Sequence, residues 1–146
     1  MSNTHPFRST IKLIPVLLIC MAGFSCGLKR SNPLDPSGNP SVIEPDPVRN
    51  VSVIVSPQGQ VPRTVTLNWD DNDARNTSGY YIYRGLGYYS AFALIDSVQV
   101  SEFIHSSAND ATVLPGEYYY RISAYKGYPG GNLEGRKSEP KWVRIP

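Results

Sequence analysis

The chain offers a thiol, a group of carboxylates and an imidazole as candidates for chemistry. The thiol is Cys26. It follows a basic start at Arg8 and Lys12, an apolar run from Leu13 to Phe24, and the small residue Ser25. That is the order of a secretory signal ending at a cysteine, and the apolar run, with Pro15 inside it, falls short of the ~20 residues of a membrane-spanning helix. Cys20 lies within the leader and leaves with it, so the mature chain keeps one cysteine, forms no intrachain disulfide and must be held by its core. The carboxylates are Asp70, Asp71 and Asp73. Such oxygen ligands suit calcium, but the Asp-x-Asp-x-Asp-Gly order of a calcium loop is missing, so the stretch reads as a solvated acidic loop and no metal is expected. The imidazole is His105, the only histidine beyond the leader. No sequence neighbour supplies it with a nucleophile, and it reads as a turn or surface residue at a strand end. No catalytic constellation and no cofactor site emerges, and the chain is expected not to be an enzyme.

The stretch Ala22-Gly23-Phe24-Ser25-Cys26 resembles the lipobox of bacterial lipoproteins, in which a cysteine follows a small residue. The resemblance implies a leader, residues 1–25, cut before Cys26, and acyl chains on that cysteine. Two or three such chains bury enough methylenes to contribute on the order of tens of kcal/mol of membrane affinity. Gly27, rather than Asp, follows the cysteine. This implies a place in the bacterial cell envelope, lipid-anchored, and in the outer membrane if the source is Gram-negative. Residues 26–46 carry Pro33, Pro36, Pro40 and Pro45, with Pro47 just beyond. Proline at this density forbids a helix and disfavours a sheet interior, so the segment is expected to be a solvated, extended linker reaching up to roughly 60 Å.

Beyond the linker, residues 47–146 are expected to form one domain. Short apolar runs with a period of two dominate. Val51, Val53 and Val55 form one run, Val65, Leu67 and Trp69 another, and Tyr80 with Ile82 a third. Tyr118, Tyr120, Ile122 and Ala124 continue the pattern, and Val143 with Ile145 ends it. Between them lie turn-forming stretches such as Pro57-Gln58-Gly59, Gly85-Leu86-Gly87 and Leu114-Pro115-Gly116. Alternation of this kind with turns between predicts an all-β antiparallel sandwich. The Lys126–Ser138 stretch, rich in glycine, is expected to be a mobile loop. Charge excludes little but nucleic acid. The leader removes Arg8 and Lys12, which leaves 12 basic against the 12 acidic residues, and no Lys/Arg run marks a nucleic-acid footprint.

From about Pro45 to Pro146 the chain resembles a fibronectin type III domain, an immunoglobulin-like sandwich of about seven strands. The resemblance is carried by Thr64-Val65-Thr66-Leu67-Asn68-Trp69, Gly79-Tyr80-Tyr81-Ile82-Tyr83-Arg84, Phe92-Ala93-Leu94-Ile95-Asp96-Ser97-Val98 and Leu114-Pro115-Gly116-Glu117-Tyr118-Tyr119-Tyr120-Arg121-Ile122-Ser123-Ala124. It implies that Trp69 is the core tryptophan. It also implies that Tyr118 is a tyrosine corner whose hydroxyl bonds backbone a few residues upstream. His105 departs from the aspartate that bacterial members often carry there.

In that topology the third, sixth and seventh strands lie side by side. The residues that alternate with the core would then form one outward face of Tyr81, Tyr83, Tyr119, Arg121, Trp142 and Arg144. Tyr, Trp and Arg are enriched at protein contacts, and aromatic rings stack on sugars. The same rings also stabilise an exposed sheet by about 0.2–1 kcal/mol per cross-strand pair, so both roles stand open. The function expected is that of a non-catalytic, lipid-anchored cell-envelope protein presenting an interaction module to a protein or polysaccharide. The alternative is a carbohydrate-binding accessory module of a surface polysaccharide-utilisation or adhesion system. The partners expected are the membrane, through acyl chains on Cys26, and an envelope protein or glycan.

Overall fold

A computed structural model describes residues 32–146, so the expected leader and Cys26 lie outside the described residues. The alternating runs become strands β1 (Ser52–Val55), β2 (Thr64–Asn68), β3 (Gly79–Gly85), β4 (Ala93–Val98) and β5 (Glu102–Ser106). They are followed by β6 (Gly116–Tyr128), β7 (Gly131–Glu134) and β8 (Lys141–Ile145). All pairings are antiparallel. One sheet has the order β1-β2-β5; the other has β4-β3-β6, with β7 and β8 both paired to β6. The described residues contain no helix.

The core lies between the sheets because the period of two turns one side of each strand inward. Val65, Leu67 and Phe103 come from the first sheet, and Ile82, Tyr120, Ile122, Ala124, Val143 and Ile145 from the second. Each large apolar side chain buried in this way contributes about 1.5–3 kcal/mol. Trp69 is buried and meets Tyr80 edge to face, with ring centroids 5.1 Å apart. Its indole N–H finds no acceptor among the described residues, a cost of about 1–3 kcal/mol that the packing must offset.

Eight strands form where about seven were expected, because the last strand is split. β7 and β8 both pair with β6, and residues 135–140 leave the ladder between them. Gly135 and Ser138 still donate backbone N–H groups to Ala124 and Ile122, whereas Pro140 has none to give. The stretch expected to be a mobile loop is therefore largely strand. Residues 125–128 and 131–134 form a tight hairpin that turns at Pro129 and Gly130; Gly130 and Gly131 have φ of 103° and 145°, angles that glycine adopts without strain.

The linker also differs from expectation. From Asn32 onward it is folded rather than extended. Backbone bonds from Asp35 to Asn32, Gly38 to Asp35 and Val42 to Asn39 wind residues 32–42 into consecutive turns. The side chains of Asn32, Asp35 and Asn39 accept from N–H groups two residues ahead, the habit that makes Asn and Asp turn residues. Residues 42–46 then form a strap along the domain. Val42 is buried. The Tyr128 hydroxyl accepts from the Ile43 N–H at 2.9 Å and donates to the Ile43 carbonyl at 3.1 Å. The side chains of Asn76 and Asn72 donate to the carbonyls of Glu44 and Asp46. Gly135 lies against the Pro45 carbonyl so closely that a Cβ there would collide with it.

Candidate interaction face

The five-stranded sheet carries the expected outward face, and register decides which of its residues meet. Tyr83 pairs with Arg121 and Tyr81 with Ser123 across β3 and β6. Tyr119 pairs with Trp142, and Glu117 with Arg144, across β6 and β8. The face is not one open surface, however; it divides into three parts along β6.

The centre is closed. Tyr83 is only 8% exposed. Its hydroxyl donates to a Glu134 carboxylate oxygen at 2.8 Å, and Ser123 donates to the same oxygen at 2.6 Å. The Lys137 ammonium lies 2.9 Å from that oxygen and 4.1 Å above the Tyr83 ring. Burial, and then the bond to Glu134, push the Tyr83 hydroxyl well above its ordinary pKa. Burial pushes the Glu134 carboxyl up, but the bonds from Ser123, Lys137 and Tyr83 outweigh it and leave the group more acidic than usual. Tyr83 was expected to face out as part of a contact surface. It does point outward, but Glu134 and Lys137, flanking the split of the last strand, cover it.

The part nearer the β6–β7 hairpin is occupied internally as well. The Tyr81 ring stacks on Tyr125 at 4.3 Å between centroids and 20° between planes. Its hydroxyl accepts from the Asn132 side chain at 2.7 Å.

The third part is the open one. Trp142 is 54% exposed beside half-buried Tyr119. Tyr88 packs edge to face on Tyr119 at 6.2 Å and on Tyr89 at 4.8 Å, and Tyr89 is 95% exposed. The Tyr88 hydroxyl donates to Glu139, and that bond raises its pKa. Arg121 donates from Nε to the Ser138 carbonyl at 2.7 Å, with its guanidinium over Phe92 at 5.4 Å. Arg144 is exposed opposite Glu117. Sequence reasoning missed Tyr88, Tyr89 and Phe92. They sit in the β3–β4 connection, where the glycines signalled only a turn. The adjacent tyrosines at 88 and 89 were the available signal.

A second constellation was also missed. His105 is no surface residue; it is 4% exposed on the core side of β5. Its Nε2 lies 2.7 Å from a carboxylate oxygen of Asp110, and its Nδ1 lies 2.9 Å from the Tyr120 hydroxyl. A carboxylate only accepts, so Nε2 carries the proton, and in the neutral ring Nδ1 accepts from tyrosine. The bond to His105, followed by the Thr112 N–H, holds the Asp110 carboxyl far below its ordinary range. Burial pushes the Tyr120 hydroxyl up to about 12. Arg84 extends the chain of bonds by donating to the Thr112 carbonyl and hydroxyl. His105 belongs to one sheet and Tyr120 to the other, so the bond crosses the core and ties down the crossover at residues 107–115. Tyr118 was expected to do this. Instead it packs half-buried against the core beneath Arg84, at 5.0 Å, and its hydroxyl has no hydrogen-bond partner among the described residues. Two of the acidic-loop carboxylates have partners. Asp73 pairs with Arg75 at 2.8 Å, and Asp70 accepts from Asn50 at 2.7 Å.

No protein-family model and no curated protein matches the sequence. Among solved structures, the chain is similar to an Fn3-like protein from Clostridium thermocellum, at 20% identity and a TM-score of 0.54, over 71% of this chain and 96% of that one. With two antiparallel sheets in the order described above, the described residues form a fibronectin type III-like β-sandwich.

Proposed function

We propose that this protein is a non-catalytic, lipid-anchored component of the bacterial cell envelope, presenting its fibronectin type III-like domain as an interaction module. The observation that carries the role is the exposed cluster of Trp142, Tyr119, Tyr88 and Tyr89 at one end of the five-stranded sheet. Large rings on the outside of a small domain suit contact with a partner, where Trp and Tyr contribute most per residue. Support for a non-catalytic role comes from the His105–Asp110–Tyr120 constellation. Its tyrosine is fully buried and its histidine nearly so, where no substrate reaches them. Support for the anchor is the Ser25-Cys26 junction after an apolar leader.

The test is a photo-crosslinking amino acid placed at position 142 in cells. A second strain carries it at position 104, exposed on the opposite sheet. Discrete adducts at 142 and none at 104 are expected, and their mass and sugar content distinguish a protein partner from a polysaccharide. The same adducts at both positions, or none at either, contradict the role.

A further inference from the structure

The folded linker changes what the anchor does. An extended tether over residues 26–46 leaves the domain free to turn in any direction. In the structure the strap is bonded to the domain at Ile43, Glu44 and Asp46, and it runs back toward the β6–β7 turn. Pro33 lies against Gly130 and Leu34 against Gly131, where a Cβ on either glycine would meet them at 3.7 and 3.4 Å. Five residues separate Asn32 from Cys26, and the six Cα–Cα steps across them span at most about 20 Å. The effective tether is therefore a third of its nominal reach, and it leaves the folded part at the hairpin tip.

The open aromatic cluster sits at the other end of the same strand. Tyr119, beside Trp142, precedes Tyr128 by nine residues along β6, which is about 30 Å at ~3.3 Å per residue. We infer that the β6–β7 turn, with Tyr128 and Pro129, is the end of the module that faces the lipid surface, and that the Trp142 cluster is held on the side away from it. This rests on the anchor at Cys26 proposed above. The occupant of the hairpin end is the bilayer itself, because a chain this short leaves no room for a partner between them. The strap thus works as an orienting brace that presents the exposed rings outward.

The test uses the full-length, natively processed protein in phosphatidylethanolamine/phosphatidylglycerol vesicles containing an acceptor-dye lipid. Acylation blocks Cys26, so Pro129→Cys and Tyr89→Cys each supply a single site for a donor dye. Energy transfer to the membrane is expected to be several-fold greater from position 129 than from position 89. Inserting about twelve Gly/Ser residues between Arg30 and Ser31 leaves the folded part untouched but frees the tether, and should abolish the difference. Gly135→Val, which forces Pro45 and the strap away, should narrow it. Equal transfer from the two positions with the native tether, greater transfer from 89, or a difference that survives the insertion overturns the inference. The mass of the N-terminal peptide from the same sample separates the two readings. Without acyl chains the anchor fails, and this inference with it; with acyl chains and equal transfer, the orientation alone fails.

Discussion

Asp110, His105 and Tyr120 show how one buried polar residue is kept in a small core. Each partner satisfies the next, so no ring nitrogen or hydroxyl of the set is left bare between the sheets. Removing one member orphans another. Tyr120→Phe keeps the ring and its packing but leaves His105 Nδ1 buried without a donor, which costs about 1–3 kcal/mol. Urea unfolding should show the midpoint fall with an unchanged slope. An unchanged midpoint would mean that the bond does not hold the crossover. The network was illegible in the sequence for a plain reason. His105 reads as a strand end because the turn at Ser106 follows it, but its partners lie 5 and 15 residues on, and only the crossing of the core brings Tyr120 opposite. By contrast, the burial of Trp69, Leu67 and Ile122 was legible, since alternation alone turns them inward.

At the scale of elements, the split last strand matters most. Residues 135–140 leave the β6 ladder, and the Glu134 carboxylate, bonded to Tyr83, Ser123 and Lys137, pins the departure. Glu134→Ala removes the common acceptor and leaves the Tyr83 hydroxyl under cover without a partner, for about 1–3 kcal/mol. Amide hydrogen exchange over residues 135–140 should speed up selectively, while β2 and β5 in the other sheet stay protected. Uniform change across both sheets would show that Glu134 supports the fold generally and not this segment. The strands themselves were readable from period and turn signals. The β6–β7 hairpin was not, because its glycines looked like a loop and its pairing depends on Leu133 and Glu134 meeting Lys126 and Tyr125. The proline-rich strap was misread for a similar reason. Proline excludes helix and sheet interior, yet it does not prevent turns capped by Asn32, Asp35 and Asn39, nor docking on Tyr128 and Gly135.

At the scale of the molecule, a sandwich held by its core carries an aromatic cluster at one end, and Pro33 and Leu34 lie against the β6–β7 turn at the other. The outward face was foreseen as a single surface of Tyr81, Tyr83, Tyr119, Arg121, Trp142 and Arg144. The structure keeps Tyr119 and Trp142 in its open part, adds Tyr88 and Tyr89, and closes Tyr83 off. The proposed orientation depends on the proposed anchor at Cys26, because an oriented module needs a fixed end. The most direct measurement is therefore the mass spectrum of the mature N-terminal peptide from membranes of cells expressing the full chain. An acylated anchor gives a terminus at Cys26 whose mass exceeds the unmodified peptide by a diacylglyceryl group, with or without a further acyl chain on the amine. An unmodified Cys26, or a mature chain beginning at another residue, would contradict it.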